Sequence, residues 1–156
     1  MTPSADIHAL LTGRHPAMGP DLLEGLRHCA GHGYATGWGE LSTTTVFQVY
    51  LWRQPWVRLA LPDGALREVE PEYTGQVGDL VPPTLVFSEA VRTSLLGLCA
   101  HASKLGVQVT FHDLFFDLAR HGDGRCARRL REHGVDRALL DTLSERLGLG
   151  RLSRFG

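Results

Sequence analysis

"VTFHDLFFDLARHGDGRCARRLREHGVDRALLDTL", residues 109–143, carries the punctuation of three consecutive helices. Thr110 stands three residues before Asp113, the spacing at which a hydroxyl and a carboxylate cap one helix start reciprocally. Glutamate is the usual partner, but Asp113 also suits the positive end of the helix dipole. Leu114, Phe115 and Leu118 share a face. Gly122 and Gly124 frame a turn in which Asp123 can cap the next helix, and Ala127 and Leu130 face inward from it. Gly134 stops that helix and Asp136 opens another. Leu139, Leu140, Leu143 and Leu147 give the last one an apolar side that ends at Gly148.

Toward the N-terminus, Val91, Leu95, Leu98, Ala102 and Leu105 recur at steps of four and three, one helical stripe. Ser88 is its expected cap, with Val86 or Phe87 packing back over the first turn, and Gly106 its stop. Four helices with short loops follow from this, and short loops set neighbours antiparallel.

The first half is less regular. Leu22, Leu23, Leu26 and Ala30 are spaced for a helix, with stops expected at Gly31 and Gly33, and Gly25 inside it marks a close contact. Thr43, Thr44, Thr45, Val46, Val49 and Tyr50 favour a strand, yet Leu41, Thr45 and Gln48 lie near helical spacing, so both readings stand. Val57, Leu59 and Leu61 alternate ahead of Pro62-Asp63-Gly64, with Leu66 and Val69 beyond, which predicts a small β-hairpin. Residues 1–20, with three prolines, read as a short helix and a loop, and 76–85 as a linker.

From "VFSEAVRTSLLGLCAHASKLG" through "HGVDRALLDTL" the chain resembles the N-terminal repeat of Clp-type AAA+ unfoldases. The landmarks are Leu105-Gly106, the Thr110 cap with Leu114, the turn at Gly122 to Gly124, and Leu130 followed by Gly134-Val135-Asp136. The resemblance implies a mainly α fold, a double Clp N-type repeat related by a pseudo-twofold. Residues 1–156 then form one domain, with a degenerate first repeat at 20–75 and a second at 86–147. It also implies a free-standing recognition domain. In the family this domain binds substrates, adaptors, cyclic-peptide antibiotics and, in some members, phosphoarginine through a glutamate ahead of His-Leu. The matching positions here are Gly39 and His112, so that route lacks its carboxylates. The chain has no G-x-x-x-x-G-K-[ST] segment, which excludes ATP-driven unfolding.

Composition narrows the class further. The chain has 156 residues, 43% hydrophobic and 21% charged, with a formal net charge of -1, which does not suit a nucleic-acid or membrane surface as a whole. No apolar run approaches the roughly 20 residues that span a bilayer. No basic region with a long apolar stretch opens the chain, so a secretory leader is not expected. Cys29, Cys99 and Cys126 make no disulfide framework, and a reducing cytoplasm is the simplest setting.

Chemical candidates are few. His112 and Asp113 share the first turn of a helix, where capping is the ordinary role. Adjacent helical residues diverge, which argues against a base–orienter pair. A helix N-terminus nevertheless keeps a histidine neutral and fit to act as a base. Tyr34, Trp38, Phe47, Tyr50, Trp52 and Trp56 crowd the first half. With Phe111, His112, Phe115 and Glu40 they form a candidate pocket for a peptide, a protein segment or a hydrophobic small molecule. His28 and His32 are one helical turn apart but lack a third ligand nearby, and no metal or cofactor is expected. Arg125, Arg128, Arg129 and Arg131 form a basic run without an accompanying nucleic-acid motif. The expected function is non-catalytic recognition, as an adaptor for a Clp protease component or as an antibiotic-sequestering resistance protein. The competing class is a small biosynthetic cyclase or isomerase using His112, Asp113 or Glu40 as acid or base.

Overall fold

A computed structural model describes residues 17–35, 40–61, 86–121 and 125–152. In chain order these form α1 (Pro20–Ala35), β1 (Glu40–Leu41), α2 (Thr43–Arg53), α3 (Pro55–Leu59), β2 (Val86–Phe87), α4 (Glu89–Leu105), α5 (Phe111–His121), α6 (Arg125–Glu132) and α7 (Arg137–Leu147). The architecture is therefore helical, with seven helices among the described residues. Extended structure there amounts to two short parallel contacts: β1 beside β2, and Met18 beside Val109. No helix among the described residues is long and apolar enough to cross a membrane.

The second half forms where its signals predict. The Ser88 side chain accepts from the Val91 amide, and Gly106 ends α4 in the left-handed region at φ 69°. Thr110 Oγ1 accepts from the Asp113 amide at 3.2 Å, while Asp113 Oδ2 accepts from the Thr110 amide at 2.9 Å, the reciprocal capping box. Asp136 caps α7, whose end is the left-handed Gly148. The expected cap at Asp123 lies outside the described residues.

Helix α5 is the axle of the molecule. Residues 113–119 are all buried, and α5 packs against α1, α2, α4, α6 and α7. Two polar groups on this buried helix are satisfied rather than stranded: Ser94 of α4 donates to Asp117 at 2.6 Å, and Asp113 serves the cap. Gly25 of α1 marks the closest approach. A Cβ there would lie 2.5 Å from the Phe111 ring, so glycine is what lets α1 lie against the start of α5.

In the first half two expectations are corrected and one open reading is decided. Helix α1 runs through Gly31 and Gly33 to Ala35, because burial of Cys29, Ala30 and Gly31 holds its last turns against local glycine preference. The threonine- and valine-rich stretch is a helix, not a strand. Ser42 caps it by accepting from the Thr45 amide at 3.3 Å, and burial on nearly every side outweighs its β-propensity. The predicted first arm of the β-hairpin is the short helix α3. Pro55 fits its first position and also ends α2 by disfavouring helical backbone at Gln54. Val57 and Leu61 are buried while Leu59 is 81% exposed, so the alternation contains an i, i+4 step. The other arm, with Leu66 and Val69, lies outside the described residues, as do the linker at 76–85 and the expected helix in residues 1–16.

Candidate functional site

The polar groups converge where α1, α2 and the first turn of α5 meet. Tyr50 reaches this point from α2. Its ring stacks on Phe115 at 4.1 Å and 10°, and meets Phe111 edge-on at 5.6 Å. Phe47, one turn earlier, packs on Phe115 at 4.9 Å. This aromatic cluster is buried throughout, and the Tyr50 hydroxyl bonds His112 Nδ1 at 2.7 Å. Burial raises the Tyr50 pKa far above its ordinary value, helped by the charges of Asp21 and Asp113. Burial also lowers that of His112, against the pull of Asp21 and Asp113 and assisted by Arg53. Both groups are thus neutral near pH 7. The Tyr50 hydroxyl and Nδ1 share this one hydrogen bond; with the phenol as its donor, the imidazole hydrogen sits on Nε2.

Asp21 and Arg53 frame this pair. Asp21 Oδ2 accepts from the Phe111 amide at 3.0 Å, so a carboxylate of α1 satisfies a first-turn donor of α5. Arg53 lies over the Phe111 ring at 5.9 Å, with its Nη2 3.8 Å from Asp21 and 3.7 Å from Glu24. Those distances exceed hydrogen-bond reach, and the Arg53 Nη1 is buried without an acceptor among the described residues.

The candidates read from sequence separate into three groups. Phe47, Phe111 and Phe115 are buried in the core, Phe47 packed on Phe115 and Phe111 against Tyr50. Trp52 and Trp56 are 49% and 42% exposed, and the Trp56 indole donates to Gln54. Trp38 and the side chains of Tyr34 and Glu40 lie outside the described residues. Of the acid–base candidates, Asp113 is committed to structure: Oδ2 takes the Thr110 amide and hydroxyl, and Oδ1 takes the Leu152 amide at 3.3 Å. His112 is held by Tyr50 and not by Asp113, as their divergence on the helix requires.

Sequence reasoning counted Tyr50 only among the first-half aromatics, with no polar role, and passed over Asp21 and Arg53. Helical spacing would have placed Phe47, Tyr50 and Arg53 on adjoining positions three apart, but the strand-like composition concealed it. Asp21, in the first turn of α1, reads as a dipole partner of its own helix and gives no sign that it caps another.

Thiol chemistry finds no footing here. All three cysteines are buried and none is in a disulfide. Burial pushes the Cys99 thiol up to about 11 and raises Cys29 further, so neither is a thiolate at neutral pH. No group of three His, Cys, Asp or Glu side chains gathers to hold a metal among the described residues. The basic run on α6 is solvent-facing at Arg128, Arg129 and Arg131, and Arg129 pairs with Glu132 at 3.4 Å. Comparison with protein-family models, with curated proteins and with solved structures finds no match to this chain.

Proposed function

We propose that the protein is a recognition module of the Clp N-terminal type, a pair of related helical repeats, and that it holds a peptide segment beside the first turn of α5 without catalysing a reaction. The repeat reading is supported by an exchange of elements. Swapping α1 with α4 and α2 with α5 preserves the pairings: Met18 with Val109 enters α1 and α5, and Leu41 with Phe87 enters α2 and α4. Each pairing lies two residues before its helices. Burial follows the same exchange. Leu22, Leu26, Cys29 and Ala30 match Val91, Leu95, Leu98 and Cys99, and the buried positions of α2 match those of α5 one for one. Phe47 and Phe115, which correspond, touch each other, as residues astride a twofold would. On this reading the first repeat keeps its first two helices and departs from the second at α3.

The observation that carries the functional reading is the condition of His112. It is half-buried, neutral and held at Nδ1 by Tyr50; with the phenol as donor its Nε2–H is an oriented donor, and the Arg53 guanidinium lies beside Asp21 and Glu24 close by. Oriented donors beside the carboxylates of Asp21 and Glu24 suit the alternating carbonyls and amides of a peptide. The enzyme reading needs an acid–base partner on His112, and the nearest candidate, Asp113, is spent on capping. The small-molecule reading has less support from Phe47, Phe111 and Phe115, which are buried in the core. An adaptor for a Clp protease and a protein that sequesters a peptide antibiotic both fall within the proposed class. The test is selection from a random peptide display library on the immobilised protein, followed by amide-shift mapping with an enriched peptide. Shifts centred on Asp21, Tyr50, Arg53 and His112 are expected. Failure to enrich any peptide, or shifts confined to α6 and α7, would reject the proposal.

A further inference from the structure

We infer that the Tyr50–His112 hydrogen bond is an acid-release latch, which fastens α2 to the first turn of α5 when His112 is neutral and lets go when it is protonated. The contact joins the two halves of the chain at 2.7 Å. Among the described residues, His112 is the hydrogen-bond partner of the Tyr50 hydroxyl. The phenol ring is stacked on Phe115, meets Phe111 edge-on and is fully buried, so the hydroxyl is held facing His112. Protonation puts a hydrogen on Nδ1 and removes that acceptor. The Tyr50 oxygen can then accept from the imidazolium only by turning its own hydrogen away from Nδ1, which gives up the bond that hydrogen made.

The surrounding charges do not rescue the imidazolium. The charged groups acting on His112 come from α1 (Asp21), α2 (Arg53) and α5 (Asp113). The two carboxylates attract it at a distance, but their oxygens are engaged by the Phe111 amide, by Thr110 and by the Leu152 amide. Arg53 and the positive end of α5 repel it. Burial of the ring opposes the charged form in any case.

The sign of the effect follows. A histidine whose folded pKa lies below its unfolded value binds its proton more readily in the unfolded chain. Its stabilising effect is full above about pH 6.5 and is lost as pH falls through and below the folded pKa. The latch does not depend on the identity of a ligand, and its test reads stability and titration alone.

The experiment compares wild type, His112→Asn and Tyr50→Phe by thermal unfolding from pH 7.5 to pH 5.0, with NMR titration of the His112 ring. The asparagine oxygen can take the phenol hydrogen without titrating. Wild type should lose a few degrees more than His112→Asn over this range, the scale on which one broken buried interaction moves the midpoint of a domain this size. Tyr50→Phe should be less stable than wild type at pH 7.5 and approach it at pH 5.0. NMR should find the Nε2–H tautomer at pH 7.5 and a His112 midpoint below 6.5. Parallel curves for wild type and His112→Asn would overturn the latch. If His112→Asn does not fold, a wild-type His112 midpoint at or above 6.5 would overturn it.

Discussion

Helices α2 and α5 are both eleven residues long, both follow a hydroxyl-bearing cap, and both bury every position but the second and the last two. Their compositions nevertheless differ. Helix α5 presents Phe, Leu, Phe, Phe, Leu and Ala, residues that fill a core, with a capping box that starts the helix locally. Helix α2 buries Thr43, Thr45, Val46, Gln48 and Val49, and β-branched residues cost roughly half a kcal/mol each in a helix relative to alanine. Under the proposed pairing of repeats, the same place in the fold is reached by two routes. One helix is specified by its own sequence, and the other is imposed by the neighbours that surround it.

The largest test of that equivalence is truncation at the contact between the two helices. Phe115→Ala removes the ring that stacks on Tyr50 and packs on Phe47 and Phe116, and should cost about 3–5 kcal/mol in denaturant unfolding. Phe47→Ala, at the corresponding position of α2, should cost a similar amount. A loss below about 1 kcal/mol for Phe47→Ala would break the equivalence. Next in size is Gly25→Ala. The added methyl would collide with the Phe111 ring, and overpacking of this kind costs about 1–3 kcal/mol. Pairing it with Phe111→Leu should recover part of the loss. If the double variant is no better than Gly25→Ala alone, the ring is not what excludes the side chain.

These contrasts also explain what could be read beforehand. The second half was legible because its instructions are local. Ser88, Gly106, the Thr110–Asp113 box, Gly134, Asp136 and Gly148 each act within one turn of themselves. Gly25 was legible as a close contact, though not with Phe111 as its partner. Helix α2 was ambiguous because burial against α1, α5 and α6 decides its state, and burial is not a property of the stretch itself. The candidate site was half visible for the same reason. His112 stands out at a helix start, but Tyr50, Arg53 and Asp21 become its neighbours through packing between elements far apart in the chain. Among the aromatic residues, Phe47, Phe111 and Phe115 have a structural account in the core between α2 and α5, which composition alone does not separate from a pocket lining.

A smaller effect separates the two helix starts by chemistry. Asp113→Ala deletes the carboxylate that serves the Thr110 amide and ties down the Leu152 amide, and should cost about 1–2 kcal/mol. Its distinguishing mark is long-range: amide exchange at Leu152 should quicken along with that of Thr110. Thr45→Val, at the matching position of α2, removes a hydroxyl contact with Ser42 and nothing remote, so its effect should stay within the first turn of α2. Quickened exchange at Thr110 alone in Asp113→Ala would mean that the tie to the C-terminal segment does not contribute.

The finest distinction lies in the two serine caps. Ser42→Ala and Ser88→Ala each strip the acceptor from a fully buried residue's amide, Thr45 in one case and Val91 in the other, so each should cost about 1 kcal/mol. Equal cost need not mean equal dynamics. Helix α4 has an exposed face at Glu89, Arg92, Thr93 and Leu96, so water can reach its first turn and fraying there is cheap. Helix α2 has hardly any exposed face before Trp52, and its first turn opens only when its neighbours separate. Native-state hydrogen exchange should therefore show a local opening near Val91 in Ser88→Ala that is insensitive to denaturant. In Ser42→Ala the Thr45 amide should exchange through a denaturant-dependent opening shared with the rest of α2. Local exchange at Thr45 would place the stability of α2 in its own sequence, and the contrast between the helices would fail.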